Sequence, residues 1–132
     1  MVKKFNKLKK WVEKNGYTVE MSNSDEVHYY EKKVLLCKNQ PGINLIYSFL
    51  HECGHVVLYK KKSYDVDYKI LNSANEDGRH LKGNLFKYKQ LKEEIQAWES
   101  GYKLSKKLKI NIDKDAYDKY AAKYFMTYIK NK

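Results

Sequence analysis

The sequence predicts an α+β domain that is mostly helical, with a small antiparallel sheet beside one central helix. Three observations support this class: apolar residues recur at helical spacing in four segments, three short β-prone segments lie between residues 17 and 37, and 132 residues suit one compact core. Two tryptophans, thirteen tyrosines and four phenylalanines supply large side chains for that core. We therefore expect a single domain over residues 1–132.

The first helix and the sheet are predicted from the N-terminal part of the chain. Apolar residues recur every three or four positions after Val2, and Asn15-Gly16 has the composition of a helix C-terminus. The residues that follow are rich in valine, tyrosine and threonine and are separated by turn-forming residues. Strands are predicted at residues 17–21, 27–30 and 34–37.

The central helix carries the motif His51-Glu52-x-x-His55. Two histidines four residues apart lie on one face of a helix, where they can share a metal ion. Zinc suits two neutral imidazoles, and a hydrolytic zinc site keeps one coordination position open for water. Glu52 is not needed as a ligand, because a turn of about 100° places it where it can take the proton of the metal-bound water.

Gly54, inside the motif, argues against a chance His-Glu pattern on an ordinary amphipathic helix. A glycine in mid-helix costs about 1 kcal/mol relative to alanine. That cost is explained if a second backbone passes close to the metal site. The small residues Ala97 and Gly101, on a long helix predicted from Tyr88 to Lys109, form a groove where such a contact is expected.

Glu94 on this long helix is the predicted third metal ligand. It lies near Ala97 on an inward-facing part of the helix, and a buried carboxylate needs a partner. Glu93 is predicted to point to solvent, although a small shift of the helix would exchange the two roles, and two exposed glutamates are the third alternative. A polar loop is predicted at residues 63–83, and Asp113 is the predicted N-cap of a final helix.

The charge of the chain is concentrated at its two ends. The net charge is +11, with +5 on residues 1–15, +6 on residues 103–132 and none on the residues between them. All basic residues except Arg79 are lysine, so base-specific nucleic-acid recognition, which favours arginine, is not predicted. A solvated lysine surface is the simplest interpretation, and loose attraction to nucleic acid or to an acidic partner is the alternative.

Cysteine usage and hydropathy indicate a cytoplasmic protein. The two cysteines, Cys37 and Cys53, do not form a disulfide framework, and Cys53 lies within the metal motif. The basic N-terminus has no apolar segment after it, so no signal peptide is expected. No stretch has the length and apolarity of a membrane span.

Two segments resemble the motifs of a known family. Leu50-His51-Glu52-Cys53-Gly54-His55-Val56 resembles the first motif of small zinc metallopeptidase domains of the IrrE/ImmA type, which are common in bacteria, phages and mobile elements. Glu94-Ile95-Gln96-Ala97-Trp98 is similar to their second motif. The resemblance covers roughly residues 30–105 and implies a zincin-like fold with His51, His55 and Glu94 as zinc ligands and Glu52 as general base. SprT-like domains share the first motif and are the near alternative.

The predicted function is zinc-dependent hydrolysis of a peptide bond in a protein substrate, and the resemblance implies a phage or mobile-element origin. Residues 34–37 are one candidate for an edge strand that receives an extended peptide. His80 or a tyrosine of residues 59–68 is a candidate donor to the oxyanion. The alternative function is a non-catalytic, zinc-stabilised module that binds a host protein or, less favoured, nucleic acid.

Overall fold

A computed structural model describes residues 1–62 and 83–130, the last three by their backbone alone. It confirms the mostly helical α+β class. The predicted loop lies outside the described residues except for Gly83. The elements are α1 (Val2–Lys14), β1 (Thr18–Ser22), β2 (Glu26–His28), β3 (Lys33–Cys37), α2 (Gly42–Lys62), α3 (Asn84–Lys107) and α4 (Lys114–Lys130).

The sheet is mixed, with β3 at its centre. β2 pairs with β3 in the antiparallel sense, whereas β1 pairs with β3 in parallel, so the prediction of a purely antiparallel sheet is wrong for that pair. The suggestion that residues 34–37 form an edge strand is also wrong. The reason lies in Val34-Leu35-Leu36, a continuous apolar run that is buried throughout, as expected for a strand covered on both faces.

Helix α2 is the centre of the core. Every residue from Ile46 to Val56 is buried, which means that neighbouring elements surround this part of the helix on all sides. It contacts α1, β2, β3, α3 and α4. Leu8 and Val12 of α1 are fully buried in the same core, as the helical spacing of the N-terminal segment predicts.

Helices α2 and α3 pack with their backbones in close contact. A Cβ atom at Gly54 would overlap the carbonyl oxygen of Ala97, and a Cβ atom at Gly101 would overlap the carbonyl oxygen of Leu50. Residue 50 therefore faces residue 101 while residue 54 faces residue 97, so the two helices run antiparallel. The predicted close approach at Gly54, Ala97 and Gly101 is confirmed.

Helix α4 is attached to the rest of the fold by polar contacts of its tyrosines. The Tyr117 hydroxyl donates to the carbonyl oxygen of Trp98 at 2.7 Å, and the Tyr120 hydroxyl donates to Gln40 Oε1 at 3.0 Å. Asp113 Oδ1 accepts from the Ala116 amide at 3.2 Å, so the predicted N-cap of this helix is confirmed. In the parts of the chain that the structure describes, no helix combines the length and apolarity needed to cross a membrane.

Candidate metal centre

His51, His55 and Glu94 bring three ligand atoms together between α2 and α3. The Nε2 atoms of the two histidines lie 3.1 Å apart, and Glu94 Oε2 lies 2.9 Å from each of them. The antiparallel packing brings these three residues together. Gly101 of α3 lies beside Leu50 of α2, and Glu94, two turns earlier in α3, therefore lies beside the histidines of α2. The three residues predicted as metal ligands from the sequence therefore lie next to one another in the structure.

The chemistry and spacing of these atoms fit one divalent ion. Zinc with four tetrahedral ligands at about 2.0–2.1 Å holds them about 3.3 Å from one another, close to the 2.9–3.1 Å observed. Two imidazole nitrogens and a carboxylate oxygen all offer lone pairs when the nitrogens carry no proton, so one cation can bind all three. Two overlapping groups of side chains here could hold a metal ion: His51, Glu52 and His55 form one, and His55, Glu93 and Glu94 form the other.

The cluster is buried but not sealed. The side chains of His51, His55 and Glu94 retain 10–12% of their exposure. A bound ion would be shielded from bulk water, which strengthens its electrostatic interactions.

Glu93 does not point to solvent, contrary to the prediction from the sequence. Its side chain is buried, and its Oε1 lies 3.0 Å from His55 Nδ1. The error arose because neighbouring residues of a helix normally point in different directions. Here they reach opposite edges of one imidazole, with Glu93 at Nδ1 and Glu94 at Nε2. The carboxylate oxygen beside both Nε2 atoms belongs to Glu94.

Glu52 is buried beside the three predicted ligands, but its carboxylate does not lie between the two Nε2 atoms as that of Glu94 does. Its Oε2 lies 3.1 Å from His51 Nδ1, on the edge of that ring opposite Nε2. A carboxylate oxygen of Glu52 also lies within 4.8 Å of a ring nitrogen of each histidine. The role of Glu52 as general base stays a prediction.

Trp98 restrains the ring of His51 and was missed as a residue of the site. The two rings stack with 4.1 Å between their centroids and 6° between their planes. The sequence analysis assigned Trp98 to the core only. Its spacing was the available signal, since residues four apart lie on one face of a helix and Trp98 follows Glu94 by four.

Burial and the neighbouring charges shift the pKa values of the cluster. Burial lowers the pKa of His55, but Glu94 and Glu93 outweigh it and raise the pKa well above its usual value. Burial likewise lowers the pKa of His51, and Glu52 and Glu94 produce a net rise. For Glu94, burial raises the pKa, but the two imidazoles lower it well below its usual value. The raised histidine pKa values mean that protons compete more strongly with a metal ion for these nitrogens.

The predicted donors to an oxyanion are only partly covered by the structure. His80 and most of residues 59–68 lie outside the described residues. Tyr59, which is described, stacks on Tyr29 with 4.1 Å between ring centroids and 13° between ring planes. The oxyanion donor stays a prediction.

Comparisons with known proteins give no relative on which to base an assignment. No protein-family model, curated protein or solved structure matches the chain. The function therefore has to be argued from the geometry of the cluster and from the residues of its two motifs.

Proposed function

We propose that the protein is a zinc-dependent metallopeptidase of the His-Glu-x-x-His type that hydrolyses a peptide bond in a protein substrate. The observation that supports this most strongly is the meeting of His51 Nε2, His55 Nε2 and Glu94 Oε2 within 3.1 Å, with Glu52 buried beside them. Two imidazoles and one carboxylate form the ligand set of several zinc hydrolases, in which the fourth position takes water or substrate.

Each residue of the cluster has a role in this mechanism. Zinc bound here would supply a Lewis acid that could polarise the scissile carbonyl and make water acidic enough to react near neutral pH. His51, His55 and Glu94 hold the ion, and Trp98 keeps the His51 ring in its orientation. Glu52 accepts the proton of the attacking water and then donates it to the nitrogen of the leaving amine. The bond between the carbonyl carbon and that nitrogen breaks in the second step.

The function is tested with a peptide library derived from a proteome digest, in which mass spectrometry identifies newly formed termini. Zinc-loaded wild-type protein is expected to generate a defined set of cleavages. Removal of zinc with a chelator and the substitution Glu52→Gln should each eliminate them. Absence of any zinc-dependent cleavage, or equal cleavage by Glu52→Gln, would contradict the peptidase proposal.

The non-catalytic alternative is favoured by one specific contact. Glu52 Oε2 lies 3.1 Å from His51 Nδ1, which gives this carboxylate a structural role that needs no catalysis. One hydrogen bond also joins the two basic ends, since Lys7 Nζ donates to the carbonyl oxygen of Lys109 at 3.3 Å. If the protein is a binding module, a captured host protein stays intact and Glu52→Gln leaves binding unchanged. Nucleic-acid binding would instead weaken steeply with added salt.

A further inference from the structure

We propose that Glu93 is a positioning residue of the metal centre, which holds His55 in the orientation and tautomer that present Nε2 to the ion. This inference rests on the metal site of the proposed function and deepens it. Glu93 Oε1 lies 3.0 Å from Nδ1 of His55, on the edge of the ring away from Nε2. Glu93 acts through His55.

The geometry of His55 supports this role. Glu93 Oε1 lies 3.0 Å from Nδ1, while Nε2 lies 2.9 Å from Glu94 Oε2 and 3.1 Å from His51 Nε2. A neutral imidazole has one N–H donor and one acceptor nitrogen. When Nδ1–H donates to the Glu93 carboxylate, the lone pair of Nε2 is left for the metal ion.

Burial makes the contact energetically significant. Glu93 and His55 are each 8% exposed. A carboxylate removed from water is costly unless hydrogen bonds compensate it, so its placement at Nδ1 is better explained by that bond than by surface solvation. Loss of such an outer partner of a metal-bound histidine typically lowers metal affinity by about 10- to 100-fold.

The other histidine has a matching contact. Glu52 Oε2 lies 3.1 Å from His51 Nδ1, so a carboxylate lies at the Nδ1 edge of both imidazoles. Because Glu52 is also the proposed general base, a loss of activity in a Glu52 variant would not show whether the base or the partner of His51 had been lost. The proposed mechanism gives Glu93 no proton-transfer role, so the zinc affinity of its variants is measured without that complication.

The experiment measures zinc affinity by competition with a chromophoric chelator and records the visible spectrum of the cobalt-substituted protein. The variants are Glu93→Gln, which keeps an acceptor oxygen of similar shape, and Glu93→Ala, which removes it. Glu99→Gln is the matched control, since Glu99 is an exposed residue of the same helix. Circular dichroism checks that each variant is folded.

We expect zinc affinity to fall about tenfold in Glu93→Gln and up to about 100-fold in Glu93→Ala. Glu99→Gln should match the wild type, and the cobalt spectrum should change only in the Glu93 variants. If Glu93→Ala fails to fold, Glu93→Gln decides the question by the same readouts. If the folded Glu93 variants kept the zinc affinity and the cobalt spectrum of the wild type, this inference would be overturned, while the proposed metal site would stand. Absence of zinc binding by the wild type would overturn it together with the proposed metal site.

Discussion

Gly54 in α2 lies so close to Ala97 in α3 that no side chain fits between the two helices. A Cβ atom at position 54 would lie 2.8 Å from the Ala97 carbonyl carbon and 3.0 Å from the Gly101 amide nitrogen, besides overlapping the Ala97 carbonyl oxygen. This contact sets the register of the two helices. Because of that register, Glu94 lies opposite the two histidines of α2.

Substitution of this glycine tests the importance of the register. Gly54→Ala is expected to lower the free energy of unfolding by about 1–3 kcal/mol, because the helices must separate. Without that contact the same change would stabilise a helix by about 1 kcal/mol. Chemical denaturation measures the difference, with Glu99→Ala on the exposed side of α3 as control. A Gly54→Ala protein as stable as the wild type would show that the helices do not pack as described.

Glu52 and His55 have separable roles in the proposed mechanism. Glu52→Gln is expected to keep bound zinc, because an amide oxygen still accepts from His51 Nδ1–H, while peptide cleavage falls by about 10²- to 10⁴-fold with loss of the base. His55→Ala is expected to lose both zinc and cleavage. Elemental analysis and the peptide-library assay measure the two properties. Loss of zinc from folded Glu52→Gln would assign Glu52 a mainly structural role.

The stacked ring of Trp98 is expected to contribute to metal affinity through His51. Trp98→Phe keeps an aromatic ring against the imidazole, whereas Trp98→Leu removes it. Aromatic contacts of this kind contribute about 0.5–1.5 kcal/mol, so zinc affinity should fall about two- to tenfold further in Trp98→Leu. Competition titration of the two folded variants measures the ratio. Equal affinities would mean that stacking does not restrain the ligand.

Zinc affinity is expected to increase with pH. Burial lowers the pKa of His55, yet Glu94 and Glu93 raise it well above the usual value, so metal-free His55 keeps its proton to a higher pH than an ordinary imidazole does. That proton must leave before Nε2 binds zinc, and apparent affinity should rise about tenfold per pH unit for each proton displaced. Glu94 contributes no proton in this range, because its pKa is lowered. Competition titrations between about pH 6 and 8, corrected for the protonation of the chelator, measure this dependence. A zinc affinity that stayed constant over this range would contradict the prediction.

Much of the site could be predicted because its signals are local or chemically specific. The spacing of His51 and His55 places them on one helix face, and Gly54 is explained only by a close neighbour. The small residues Ala97 and Gly101 then indicate which helix is that neighbour. Glu94 follows as the carboxylate one turn before the contact.

The features that could not be predicted depend on long-range packing. The burial of Glu93 follows from the position of His55 on a different helix, which its own sequence neighbourhood does not specify. The parallel pairing of β1 with β3 requires that β2 lie on the far side of β3, and strand propensity alone does not determine strand order. The stacking of Trp98 on His51 likewise appears only when the helices are docked.

The central claim is that His51, His55 and Glu94 together form one metal site. Calorimetric titration of chelator-treated protein with zinc tests it most directly, with Glu94→Ala and the exposed-site control Glu99→Ala titrated in parallel. We predict one tightly bound zinc ion per chain for the wild type and the control, and a large loss of affinity for Glu94→Ala. Absence of saturable zinc binding to the folded wild type, or unchanged binding to folded Glu94→Ala, would contradict the account.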